Sequence, residues 1–130
     1  MKRLTCTLFG FLALGGCTQD ETLAAYGGAD RDWVLHSIDG AEFAANATMQ
    51  LGEAGAIGGS APCNRWFSTQ SAPYPWFALG PIGATKRACP DLEAERRFFD
   101  ALGQMSLSEV SGNVLILSND EGGEMVFRAE

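Results

Sequence analysis

Histidine is nearly absent from this 130-residue chain, and His36 is the only one. That excludes most imidazole-based catalytic and metal sites, which need a ring set against a nucleophile or several ligands on one ion. Basic residues are also scarce, nine against sixteen acids, for a formal charge of −7. A phosphate-backbone binder needs cations to neutralise phosphates, so nucleic acid is excluded as a partner. Charged residues make up only 19% of the chain and hydrophobic ones 46%. The chain can therefore form a core, and wholesale disorder is excluded. Long periodic apolar stretches are missing and glycines number 16, which argues against a helical bundle.

What is present begins with an address. Met1-Lys2-Arg3 is a short basic head, and Leu4 to Leu14 is apolar. That stretch falls well short of the roughly 20 residues a spanning helix needs. Head, short apolar core and small residues behind it form the pattern of a secretory signal over residues 1–16. Leu14-Gly15-Gly16-Cys17 resembles a bacterial lipobox, whose cysteine is lipidated and becomes the new N-terminus. Thr18 resembles the outer-membrane sorting default rather than inner-membrane retention. The expected location is therefore the bacterial outer membrane, facing the periplasm, with the membrane held through Cys17. Each buried methylene contributes roughly 0.8 kcal/mol, so the several chains of a lipoprotein anchor durably. Loss of Lys2 and Arg3 takes the formal charge from −7 to −9. Such a domain is weakly repelled by anionic head groups, and the expectation is that it stands clear of the bilayer. Residues 17–31 read as the lipidated cysteine and a flexible polar tether, with the domain running from Asp32 to Glu130.

Four cysteines divide by compartment. Cys6 leaves with the signal and Cys17 takes lipid, so Cys63 and Cys89 remain as an even pair in an oxidising space. The simplest reading is one disulfide, worth roughly 3.5 kcal/mol by loop closure. A redox pair is the second reading, although close CxxC spacing is absent. A zinc site is the third; it needs three or four ligands, and His36 is the only further soft ligand. No metal and no cofactor are expected.

The elements read as short strands and one helix. Trp33 to Ile38 is a strand, with Trp33, Leu35 and Ser37 assigned to one face and Val34, His36 and Ile38 to the other. Asp39-Gly40 is a hairpin turn signal. Thr48 to Leu51 and Ala56 to Ser60 are further strands, the second with glycines that mark a bulge or a close backbone approach. Cys63 to Ser68 reads as a strand or its approach, and Tyr74 to Leu79 as an extended edge segment. Asp91 is placed to cap a helix over Leu92 to Met105, with Gly103 a candidate early stop. Leu92, Glu95, Phe98, Phe99, Leu102 and Met105 share its apolar stripe, Glu95 being the one charged member. Val114 to Leu117 and Met125 to Phe127 form a closing hairpin across Asn119 to Gly123. The expected fold class is mainly β, or α+β: a small antiparallel sheet or barrel with one packed helix.

Several of these pieces resemble one family. They are the Trp33-x-Leu35 strand before Ile38-Asp39-Gly40, a glycine-rich approach into Cys63-Asn64-Arg65, and then Ala84-Thr85-Lys86-Arg87-Ala88-Cys89-Pro90. Glu95-x-x-Phe98-x-x-x-Leu102 and the final hairpin come next, in order. From Trp33 to Glu130 the chain resembles the META domain, also called HslJ-like, of bacterial envelope lipoproteins. Pro62 stands where that family commonly has Gly, and Trp66 where Tyr is frequent. The resemblance implies a lipocalin-like antiparallel β structure with a helix and an association with envelope stress. It carries over no catalytic residue.

Three groups of residues are candidates for function. Asn64, Arg65, Lys86 and Arg87 flank the two cysteines and would form a cationic, hydrogen-bonding patch for an anionic ligand or partner. The simpler reading has Asn64 bonding local backbone and the cations in surface ion pairs. Trp66, Phe67, Tyr74, Trp76 and Phe77 form an aromatic stretch, with Trp66 and Trp76 added to the patch as contact residues; the simpler reading makes them core. His36, Ser37 and Asp39 hold the residue types of a hydrolase triad, but strand neighbours point to opposite faces and do not converge. Glu93 and Glu95 are assigned to the helix dipole. The expected function is a non-catalytic, membrane-tethered interaction or stress-related structural role, with an envelope protein as partner. The alternatives are a carrier of a small hydrophobic or anionic ligand, or an inhibitor of a periplasmic or host enzyme acting through the loop Ser71 to Trp76.

Overall fold

A computed structural model of the chain describes residues 20–130, together with Gly10. The expected signal segment and the lipidation site at Cys17 lie outside the described residues. Among the described residues nine strands and one α-helix run in order: β1 Trp33–Ile38, β2 Ala41–Glu42, β3 Thr48–Leu51, β4 Ala56–Ser60, β5 Arg65–Thr69, β6 Gly83–Ala84, α1 Leu92–Gln104, β7 Leu107–Ser111, β8 Val114–Ser118 and β9 Glu124–Ala129. They make one sheet in the order β6-β5-β4-β3-β1-β9-β8-β7, with β2 added to β1. Every ladder is antiparallel. The first and last strands lie side by side, so residues from both chain ends build the middle of the sheet.

Strand alternation is kept where the sequence alternates. Leu115, Leu117, Met125 and Phe127 are fully buried from β8 and β9. In β1 a register shift falls between Leu35 and Ser37. It returns Ile38 to the side of Trp33 and Leu35, so all three are buried, and His36 is exposed. A bulge adds one residue to one strand and so switches the face of the residues beyond it. The face assignment of Ser37 and Ile38 by strict alternation is corrected accordingly. Asp39 and Gly40 both take positive φ, 50° and 80°, and join β1 to β2 as a two-residue hairpin turn. In β4 the glycines mark close approach, since a methyl at Gly59 would overlap the Thr48 carbonyl.

The sheet is open, not a closed barrel. Its two outer strands are linked by the loop after β5 rather than by a ladder. Gln70 pairs with Leu79 at one end of that loop, and Trp76 pairs with Leu107 of β7 at the other. Phe77 N–H donates to the Ser106 carbonyl (2.9 Å) and Ser108 N–H to the Pro75 carbonyl (2.7 Å). Pro73 and Pro75 have no N–H to give, so the segment bridges the gap without becoming a strand. The extended edge expected over Tyr74 to Leu79 is thus a pinned loop. The interior is filled by Trp33, Trp66, Phe77, Phe98 and Phe127.

The domain also begins earlier than Asp32. Leu23 has no exposed surface and belongs to the core. Ala24–Gly28 form a turn whose last carbonyl accepts the Trp33 indole N–H at 2.9 Å. Leu23 is buried by tertiary contact and Ala24 packs against the core, so the tether ends before residue 22, not at 31. Leu23→Ala should therefore lower unfolding stability by about 2–5 kcal/mol, as for any core leucine. A tether residue would change nothing, and chemical denaturation of the two proteins separates the cases.

Candidate functional site

The disulfide reading holds: Cys63 and Cys89 are bonded, with Cα atoms 5.6 Å apart and a separation of 26 residues. Around the bridge the chain makes a buried polar node. Glu95 lies on the apolar stripe of α1 and is only 4% exposed. One carboxylate oxygen accepts the Cys63 N–H at 3.0 Å, and the other accepts the Asn64 amide at 2.8 Å. The Asn64 amide also donates to the Arg87 carbonyl at 3.0 Å. Its carbonyl oxygen accepts from the Arg87 N–H (2.6 Å) and the Thr85 hydroxyl (2.9 Å). A primary amide has two donors and two acceptor lone pairs, and all four are used here.

Asn64 is therefore a fastener and has no free group for a ligand. The bonds to backbone that the simpler reading gave it are present, and the bond to Glu95 is an addition. Assigning Glu95 to the helix dipole is corrected too, because its carboxylate points into the domain and holds the loop before β5. The signal was its place on the stripe, where a charged residue must find partners if it is buried. Glu93 is exposed and pairs with Arg96 at 3.5 Å. Asp91 makes no side-chain cap. The Leu92 N–H donates instead to the Cys89 carbonyl at 3.2 Å, so the turn after the disulfide takes part of the capping role. Helix α1 passes through Gly103 and ends at Gln104, whose carbonyl accepts from the Asn119 side chain at 3.1 Å.

Trp66 is core, not contact surface. It is 2% exposed, donates its indole N–H to the Thr48 carbonyl at 3.0 Å, and meets Phe98 edge-on at 5.8 Å. Trp76 is 58% exposed and lies in the loop after β5, away from the disulfide. Of the expected patch, Arg65, Lys86 and Arg87 remain together as exposed cations. The Thr85 N–H donates to the Arg65 carbonyl at 3.0 Å, and the Arg65 N–H to the Thr85 hydroxyl at 3.2 Å. Arg65 and Arg87 line an open groove of about 470 Å³ shared with Asn46, Ser60, Pro62 and Thr85. Among the described residues the ion pair is Arg96 with Glu93, so none of the three cations has a carboxylate within 4 Å. The surface ion pairs expected for them are absent.

The residue types of a hydrolase triad do not assemble. His36 is exposed, and the Asp39 carboxylate accepts the Glu124 N–H at 2.8 Å. Among the described residues no cluster of His, Cys, Asp or Glu could hold a metal ion.

Removing Glu95 leaves the Cys63 N–H and one of the two Asn64 amide N–H donors unpaired, at about 1–3 kcal/mol for each buried group. Glu95→Ala should lose that stability in denaturant unfolding. A double-mutant cycle with Asn64→Ala should show coupling, since the two share a bond. Strict additivity would refute the node.

Residues 23–130 match the family model described as the META domain. No curated protein matches the chain. Among solved structures, one described as the NMR structure of the protein from Burkholderia xenovorans is 20% identical, with a TM-score of 0.66. The alignment covers 95% of this chain and 99% of that one. A second, described as an NMR structure of the protein, is 18% identical with a TM-score of 0.59, over 75% of this chain and 87% of the other. At these identities the two share the fold alone. From the core leucine at position 23 to the C-terminal strand, the chain belongs to the META domain family.

Proposed function

We propose that this chain is a non-catalytic interaction domain, tethered to a bacterial envelope membrane by lipid on Cys17. Its recognition surface is the groove lined by Arg65 and Arg87, with Lys86 beside it, and its partner presents anionic groups. The observation that carries this reading is the group of three cations without carboxylate partners, on a chain of formal charge −7. Among the described residues, exposed Arg97 and Arg128 are likewise without an ion pair; these three differ in being gathered at one groove, which Arg65 and Arg87 line. Their backbone is fixed by the disulfide and by Asn64, so an anion would meet a site already ordered.

A hydrophobic carrier would need an apolar cavity of some 300 Å³ or more. The groove is lined mainly by polar and charged residues, and the interior is taken up by aromatic side chains. That favours recognition at the surface over storage inside. Electrostatic recognition of this kind is screened beyond about 8 Å at physiological salt.

Crosslinking from intact envelopes, followed by affinity capture of the lipidated protein, should recover a partner that is lost as salt is raised. Arg65→Glu combined with Arg87→Glu should weaken that capture by about tenfold or more. The two exposed side chains carry little of the fold, so unfolding stability should change by less than about 0.5 kcal/mol. Undiminished capture by the reversed protein would sink the assignment of the groove. A product generated from an added substrate would sink the non-catalytic reading.

A further inference from the structure

The point where the chain enters the domain is marked by aromatic side chains. Three large apolar residues are exposed among the described residues: Tyr26 (56%), Phe67 (62%) and Trp76 (58%). Phe67 stands on β5 beside Gly83. The other two flank the entering segment. Thr22 pairs with Pro73, and the Glu21 carbonyl accepts the Tyr74 N–H at 2.7 Å. The Tyr26 ring stacks on Tyr74, with centroids 4.6 Å apart and planes 10° from parallel. Trp76 lies two residues beyond Tyr74, and its N–H donates to the Pro73 carbonyl at 2.8 Å. Both exposed rings are thus carried on backbone that is already held.

Reach then decides what meets them. Four residue steps separate Cys17 from Glu21, and a chain covers at most about 3.6 Å per step, or roughly 14 Å in all. A lipid-bearing Cys17 sits at the bilayer surface, whose head-group layer is itself about 5–8 Å thick on each side. The face beside Glu21 is therefore the face brought nearest the membrane. Trp and Tyr are the residues that settle at head-group depth, with an apolar ring and a polar edge. Asp20 and Glu21 lie at the same place and are exposed, which suits a zwitterionic surface and disfavours an anionic one.

We infer that Trp76 and Tyr26 dock the domain onto the zwitterionic head-group layer of the membrane that carries its anchor. The inference rests on lipidation of Cys17 and departs from the expectation that the domain stands clear. It also sets an orientation. Trp76 lies beyond the Thr69 end of β5, and Arg65 begins the strand at its other end, roughly 13 Å from Thr69 along four residue steps. Docking at one end leaves the cationic groove facing away from the membrane.

The structure supplies its own probe. Trp33 and Trp66 are buried (0% and 2%), so changes in solvent access of indole fluorescence report Trp76. The experiment places the lipidated protein in phosphatidylcholine–phosphatidylethanolamine vesicles and measures quenching by aqueous acrylamide and by head-group-depth brominated lipid. The soluble Cys17→Ala protein is the control. The expected result is a blue shift, loss of acrylamide quenching and gain of bromolipid quenching in the vesicle-bound protein. Trp76→Ala should abolish all three changes, and Tyr26→Ser should restore part of the acrylamide quenching. Protein that sediments with vesicles while Trp76 stays open to acrylamide would keep the anchor and overturn the docking. Protein that does not sediment, with an unmodified Cys17 by mass spectrometry, would overturn both. Protection of Trp76 in the soluble control, with a doubled mass by sedimentation, would assign the surface to a second copy of the chain instead.

Discussion

A carboxylate buried on the apolar face of the only α-helix among the described residues sets the terms for the rest of this domain. Glu95 is out of water at 4% exposure, and a group so placed destabilises the fold unless its oxygens are bonded. The Cys63 N–H and the Asn64 amide meet that need. Asn64 in turn ties down the backbone of Arg87 and the hydroxyl of Thr85. One side chain thereby connects α1, the approach to β5 and the loop before the helix. An apolar residue at position 95 could bury as much surface without choosing among neighbouring registers. The polar node chooses one, because a shift of the helix by one residue would leave two donors unpaired. Phe98, one turn further on, then has a defined place against Trp66 and Phe43.

The disulfide closes the same region by a different means. It joins residues 26 apart, and in the chain-entropy account it acts on the unfolded chain, for about 3.5 kcal/mol. The hydrogen bonds of Asn64 act on the folded state and give the closed loop its conformation. Either alone would hold the ends of the loop near each other. Together they place Arg65 and Arg87 on the rim of one groove, a crowding of like charge that free loops would relieve by spreading apart.

Much of the architecture is legible in the residues, and the exceptions have physical reasons. Strands β1, β3, β4, β8 and β9 and helix α1 follow from apolar periodicity and turn residues. β7 escapes notice because its buried position is Ser108, whose N–H and hydroxyl are both directed to the Pro75 carbonyl; no apolar alternation announces it. The bulge in β1 is equally silent, since either face of that strand offers an apolar residue. Leu23 reads as part of a linker because its neighbours are small and polar, and only the contacts of the folded chain show it as core. At the site, the cations and the cysteine pair were readable. Glu95 was readable only as an anomaly on its stripe, and the role of Asn64 required knowing that four partners converge on it. Trp66 and Trp76 could not be told apart by composition: one lies in the regular alternation of β5, the other beyond a pair of prolines that break it.

Those prolines also explain why the sheet does not close and why the molecule has two unlike ends. A strand continuing past Gln70 would have joined β5 to β7 and made a barrel. Pro73 and Pro75 withhold the donors such a ladder needs, so the segment crosses the gap as a loop bonded at Gln70–Leu79 and Trp76–Leu107. The entering residues Glu21 and Thr22 bond to this loop at Tyr74 and Pro73. Aromatic surface consequently collects where the sheet is open and the chain comes in. The far end of β5 carries the node, the disulfide and the cations. In a barrel closed by regular pairing the two ends could be alike. Here the failure to close assigns apolar contact to one end and charge to the other.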